Sequence, residues 1–212
     1  IEKCAQVREL FGELGTRYEV GQAILNEARA YAGLGRYAEA RASLAEARQI
    51  FEAEGNRMAT AEADLQAALI LLAEEQPAGS LEAAAACIQV FREEEIPVWE
   101  AQAHLVVARA ALALGRQEEV AAAIQKALET GKKHNLPALT FPGHHLLAQL
   151  ALIQEKPEDG LQELERAVQE LERLCGRLMI EFRAAFVEDK GRVYEDAVAL
   201  CLDLDRPWKG LE

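Results

Sequence analysis

Aromatic residues make up only 6% of the 212 residues, and the sequence lacks the β-branched and aromatic runs from which strands are built. Basic residues are also short: 23 Lys and Arg face 36 Asp and Glu, for a formal net charge of -13. Nucleic-acid binding gains its free energy from clustered cations that displace counterions from phosphates, so neither nucleic acid nor anionic membrane is an expected partner. No apolar run approaches the roughly 20 residues needed to cross a bilayer. The opening IEKCAQVREL lacks the basic-then-apolar order of a signal peptide, and a cytoplasmic location is expected. Cys4, Cys87, Cys175 and Cys201 stand far apart without CxxC spacing, which points to small core residues rather than a zinc or redox site. A Gly-rich phosphate loop, HExxH and a nucleophile elbow are all missing. No catalytic residue, cofactor or metal is implied, and the chain is not expected to be an enzyme.

Ala, Leu, Glu, Gln and Arg are abundant, within a hydrophobic share of 50%. This is the composition of long packed helices. Length alone would allow one or two domains, but a repeat array escapes that count because its core grows with each unit. Sliding the sequence by forty residues aligns it with itself. Phe11, Phe51 and Phe91 coincide, with Gly131 and Leu171 at the next two equivalent positions. Ala28, Ala68, Ala108 and Ala148 form a second ladder, and Gly35, Glu75, Gly115 and Glu155 a third, near expected helix breaks. The breaks predict helices near 1–14, 17–34, 37–54, 57–75, 80–95, 98–114, 117–134, 138–154 and 157–174. Gln76 to Ser80, QPAGS, reads as the clearest loop, and Pro97, Pro137 and Pro157 mark helix starts.

Within one unit, AYAGLGRYAEARASLAEARQIF carries a turn at Gly35, then Tyr37, Ala40, Leu44 and Ala47 at helical spacing. This resembles the tetratricopeptide (TPR) pattern, in which small residues let antiparallel helices approach and larger ones fill the remaining space. The resemblance implies an all-α superhelix, or solenoid, of helix pairs. A forty-residue period also touches the range of HEAT and armadillo units. The recurring turn followed by aromatic and small residues, and the division into two helices of similar length, favour the tetratricopeptide reading. Periods of this size occur in the tetratricopeptide-like arms of large bacterial signalling proteins. On this reading residues 1–176 form the array, starting inside a repeat because Cys4 to Gly15 matches Leu44 to Gly55. Residues 177–212 would add a long helix, from about Arg177 to Leu204 with a kink at Gly191, and a truncated last helix pair continuous with the array. Both ends look cut from a longer protein.

The final stretch, FRAAFVEDKGRVYEDAVALCLDLDRPWKGLE from Phe182, resembles the segment that precedes the caspase-like peptidase domain in CHAT proteins. The matching residues are Arg183, Phe186, Asp189, Lys190, Val193, Tyr194, Glu195 and Leu200. Where that family commonly has Gly-Arg-Pro-Glu-Glu-Ala, this chain has Asp205 to Gly210, DRPWKG, and no peptidase residues are present. The alternative is an ordinary amphipathic helix that turns Phe182, Phe186, Val193 and Ala197 to the array.

The tetratricopeptide resemblance further implies that the first helix of each unit lines a concave side. The inward positions here are Gln22, Leu25, Arg29, Glu62, Leu65, Leu69, Gln102, Leu105, Arg109, His145, Gln149 and Leu152. Leu25, Leu65 and Leu105 would form an apolar stripe, with Arg29 and Arg109 as equivalent cations, a surface suited to a protein or peptide segment. Alternatively these leucines pack between neighbouring first helices. His144 and His145 are adjacent, hence about 100 degrees apart on a helix, and not placed to share a metal ion. Glu93, Glu94 and Glu95 read as solvated charge at a helix end, where they oppose the dipole.

The leading expectation is a protein-protein interaction scaffold, the repeat arm of a larger CHAT-like regulator. Its partner would be a protein or peptide segment, among them a peptidase domain following in the same parent chain. The sensor arm of a multidomain bacterial transcription regulator is the second reading. A small-molecule receptor or an enzyme hidden in the helical groove is the competing class.

Overall fold

The computed structural model describes residues 2–14, 16–176 and 191–205. Among these the chain forms ten helices and no strand. They are α1 (Glu2–Leu14), α2 (Arg17–Gly33), α3 (Tyr37–Ala53), α4 (Arg57–Ala73), α5 (Pro77–Glu93), α6 (Pro97–Ala113), α7 (Gln117–Lys133), α8 (Pro137–Ile153), α9 (Pro157–Gly176) and α10 (Arg192–Asp203). From α2 to α9 every helix starts twenty positions after its predecessor. The forty-residue repeat is therefore two steps of equal length.

The joints explain this regularity. At the first, Gly35 adopts the left-handed conformation at φ 71. Its N–H donates to Ala32 O at 3.0 Å, and the N–H of Arg36 donates to Tyr31 O at 2.9 Å. This is the paired bonding of a Schellman ending, which satisfies carbonyls that the last helical turn leaves open. The same two bonds recur at Gly55/Asn56, Glu75/Gln76, Glu95/Ile96, Gly115/Arg116, Asn135/Leu136 and Glu155/Lys156. The second residue of each pair stands directly before the next helix. Asn56 also caps α4 with its side chain, which accepts from the Ala59 N–H at 3.0 Å.

The QPAGS stretch is not a loop. Gln76 is the N-cap of α5, and Pro77 opens the helix. Proline at the first helical position forfeits only an N–H that has no intrahelical partner anyway, and its fixed φ suits the turn. The break is the joint just before it, centred on Glu75 at φ 60.

The chain divides into two compact units, residues 1–110 and 111–212. In the first, Ile24, Leu25 and Ala28 of α2 pack with Ala40, Leu44, Ala47 and Phe51 of α3 and with Ala59, Ala63 and Ile70 of α4. The other side of α4, through Ala61, Leu65 and Ala68, meets Ala84, Cys87 and Phe91 of α5 and Ala103 and Val106 of α6. In the second unit, Ala148 packs with Leu161, Leu164, Leu200 and Cys201, while Ala167, Leu171 and Val193 form a neighbouring cluster with Phe141 against it.

Second helices bury one stripe at four-three-four spacing, and the stripes coincide at a shift of forty. Ala40, Leu44, Ala47 and Phe51 of α3 match Ser80, Ala84, Cys87 and Phe91 of α5. Val120, Ile124, Ala127 and Gly131 of α7 match Gly160, Leu164, Ala167 and Leu171 of α9. Spacing of this kind presents one apolar face to the partner helix. Volume within a stripe is traded across the helix pair. Phe51 lies over Gly21, where an added Cβ would stand 2.5 Å from Phe51 Cε1. At the equivalent pair in the second unit, Leu171 faces Phe141. A large residue on one helix is thus matched by a small one opposite.

Of the expected long helix at 177–204, residues 177–190 lie outside the described residues. Helix α10 starts at Arg192 with Gly191 as its N-cap. Among the CHAT-matching positions, Arg183, Phe186, Asp189 and Lys190 likewise fall outside. Val193 and Leu200 are buried, Tyr194 is half-buried and Glu195 is exposed. No helix among the described residues is long and apolar enough to cross a membrane.

Candidate binding surface

First helices are wrapped on more sides than second helices, so only a narrow set of their residues meets solvent. In the first unit Leu25 and Leu65 are 0% and 2% exposed, and Leu105 is 8% exposed. For these three the packing alternative holds: they form the floor between helices and not an open apolar stripe. Gln22, Arg29, Leu69 and Gln102 are half-exposed and Arg109 is exposed. The accessible face is therefore polar, with Leu69 as its apolar element.

Gln22 Nε2 donates to Tyr18 Oη at 3.3 Å. Arg29 Nη1 donates to Asn26 Oδ1 at 3.1 Å, and its Nη2 donates to Glu62 Oε1 at 2.5 Å. Glu62 is only 5% exposed. A carboxylate at that depth requires a charged partner, and Arg29 supplies it from the preceding first helix. Arg29 and Glu62, both expected to face a ligand, are thus tied to one another across α2 and α4.

In the second unit His145 Nε2 lies 2.7 Å from Asp196 Oδ2, joining α8 to α10, while His144 Nδ1 lies 2.6 Å from Glu163 Oε2 of α9. The two rings address different helices, as their angular separation on α8 demands. Gln149 is half-exposed and Leu152 is 41% exposed. Among the described residues no group of three or more His, Cys, Asp and Glu side chains is placed to hold a metal ion.

Two other sequence expectations meet specific partners. Glu93 and Glu94 are not merely solvated, because Arg57 of α4 donates to Glu93 Oε2 at 2.6 Å and to Glu94 Oε1 at 2.9 Å. The Arg57 hydrogen bond, with one from Gln89, holds the Glu93 carboxyl below its usual range. The guanidinium offsets the unfavourable meeting of these acids with the C-terminal end of α5. Cys87 donates to Ala61 O at 3.4 Å, and burial pushes its thiol up to about 12. It is a core residue without thiolate character.

Between α2, α3 and α4 lies a cleft of about 180 Å³ lined by Ala28, Arg29, Ala32, Tyr37, Leu44 and Leu69, among others. Two of the expected inward residues, Arg29 and Leu69, stand on it. Tyr37 and Ala32, which shape it, do not follow from the concave-face mapping. The signal that could have found it is the ladder Ala32, Leu72, Leu112, Leu152, where one member is small.

No protein-family model and no curated protein sequence matches the chain. Solved structures do. A signal transduction ATPase with numerous domains carrying a tetratricopeptide repeat sensor, from Pyrococcus horikoshii, superimposes with a TM-score of 0.62 at 16% identity, over 92% of this chain and 35% of that one. Aspartyl phosphate phosphatase F of Bacillus subtilis gives 0.62 at 15% identity, over 90% of this chain and 52% of that one. The Rap conjugation gene regulator of plasmid pLS20, in complex with its Phr peptide, gives 0.63 at 15% identity, over 91% and 55%. The chain thus spans about a third to a half of these proteins. At such identities the likeness speaks for fold: the architecture is a tetratricopeptide-like helical repeat solenoid.

Proposed function

We propose that the chain is a protein-protein interaction scaffold, the repeat arm of a larger CHAT-like regulator. It holds a protein or peptide segment on its first-helix residues: Gln22, Arg29, Leu69, Gln102 and Arg109 in one unit, and His145, Gln149 and Leu152 in the other. The observation that carries this is the contrast on the first helices. Leu25, Leu65 and Leu105 are sealed beneath a polar face of amides and guanidinium groups. Such a face offers donors and acceptors to a main chain without an extensive greasy surface. A similarly folded regulator is seen in complex with a peptide, and this supports the choice of ligand. No catalytic role is assigned to any residue, although one neighbour is named a phosphatase.

Panning a random dodecapeptide library against the chain tests the scaffold. Enriched peptides are expected to lose at least tenfold in affinity when Gln102→Ala and Arg109→Glu are combined. No enrichment, or equal binding to the double variant, would remove the reading. Leu65 and Leu105 are unsuitable probes because a charge at either buried position would unfold the helix pair.

The parent is decided by the reading frame beyond Glu212. A strand-rich domain bearing His and Cys supports the CHAT-like arm, in which the repeats cover the peptidase or present a partner to it. A helix-turn-helix domain supports the second reading, the sensor arm of a multidomain transcription regulator. That second reading is favoured by one finding, the likeness to an array that serves as the sensor of a multidomain signalling ATPase.

A further inference from the structure

We propose that the cleft between α2, α3 and α4 is a receptor for one large apolar residue, Leu-like or Phe-like, of an uncharged peptide segment. This deepens the scaffold reading and rests on it. Its walls are Ala28, Ala32, Tyr37, Leu44, Ile70 and Ala73, and Arg29, Gln66 and Leu69 stand at the mouth. The volume is about 180 Å³. An apolar cavity of about 150 Å³ accepts a benzene ring, so one leucine or phenylalanine side chain is the size this space takes.

The space exists because one side chain is missing from a ladder. Positions 72, 112 and 152, each forty residues on, carry leucine, whereas position 32 carries alanine. Packing that is filled elsewhere by the chain itself is left for a guest here.

Charge decides the kind of guest. Around the cleft each cation already has a carboxylate: Arg29 has Glu62, Arg41 has Glu74, and Arg36, beside Tyr37, has Glu39. In a chain of net charge -13 this rim is locally balanced. A charged residue entering it would draw one member of a pair away and leave the other uncompensated, most severely at buried Glu62. A neutral segment avoids that, and the Gln66 amide at the mouth offers both a donor and an acceptor to its main chain.

The test uses the isolated chain, isotope-labelled at alanine methyl groups, titrated with N-acetyl-leucinamide and N-acetyl-phenylalaninamide. Saturable shifts at Ala28, Ala32 and Ala73 are expected, with a dissociation constant on the order of millimolar, as befits a fragment of about a dozen heavy atoms. N-acetylglycinamide, which has no side chain to insert, should give none. Ala32→Leu installs the residue the other repeats carry and should weaken binding at least tenfold. Ala73→Ile, the residue present at position 153, is a second plug should the first fail to fold. Absence of saturable shifts, equal shifts in both plugged variants, or equal binding of zwitterionic leucine overturns the proposal. These readouts are independent of Gln102 and Arg109, so the cleft can fail while the peptide-panning result stands, and the reverse.

Discussion

Replacing Glu75, Glu95 and Glu155 by glycine is expected to stabilise the protein, while replacing Gly35 and Gly115 by alanine is expected to weaken it. All five residues hold the same joint position with φ between 59 and 71, except Glu95 at 56. An L-residue in the left-handed region costs about 1–2 kcal/mol because its Cβ crowds the following carbonyl. Glycine removes that cost but adds about 0.4–1 kcal/mol of unfolded-chain freedom. The net gain is about 0.7 kcal/mol per Glu→Gly replacement, or about 2 kcal/mol for three separated sites that add independently. With a urea slope of about 2–3 kcal/mol per molar, the triple variant should unfold about 0.7–1 M later, read by circular dichroism. An alanine Cβ at Gly35 or Gly115 would meet nothing within 4 Å, so the expected loss of about 0.7 kcal/mol is a backbone effect uncontaminated by clashes. A triple glycine variant that melts earlier, or alanine variants that melt unchanged, would refute the account of the joints.

Phe51→Ala should cost about 3–5 kcal/mol in the same assay, since the ring is fully buried and its cavity has little room to collapse. Gly21→Ala should cost about 1–3 kcal/mol by overpacking against that ring, and combining it with Phe51→Leu, which recreates the size trade seen at Phe141 and Leu171, should recover part of the loss. Cys87 keeps its proton in the folded chain up to about 12 against 9.0 for the free thiol. Iodoacetamide at pH 9 should therefore modify it only after unfolding. Because the unfolded thiol ionises first, stability should fall as pH rises from 9 toward 12, and Cys87→Ala should remove that component of the slope.

Much of the fold was legible because the residues that make it repeat. Phe51 and Phe91 locate the end of each buried stripe, and Ala40, Leu44 and Ala47 give its spacing. The joints were half legible. Gly35 and Gly115 announce themselves, but Glu75, Glu95 and Glu155 occupy the same backbone conformation with a residue type that does not advertise it, and this led QPAGS to be read as the loop. Pro77, which seemed to strengthen that reading, is the first residue of a helix. The twenty-residue step was also written in charged pairs: Arg17 with Glu54 and Arg57 with Glu94 are both thirty-seven positions apart, the distance from the start of one helix to just past the end of the next. The binding face was less legible because a helical wheel gives direction and not depth. Leu25 and Leu65 point as expected, yet the following first helix covers them, and Arg29 spends its charge on Glu62. Depth depends on how closely neighbouring helices approach, which is set by small residues such as Gly21 and Ala61 located elsewhere in the chain.

Where a helix stops, the residue that closes it is followed at once by the one that opens its successor, leaving no slack at the seven joints from Gly35 to Glu155. One extra residue there would swing the next helix by about 100 degrees and aim its stripe of Ala, Leu and Phe away from its mate. A lineage built on such hinges can absorb changes of residue type freely, yet it can lengthen or shorten only by whole modules.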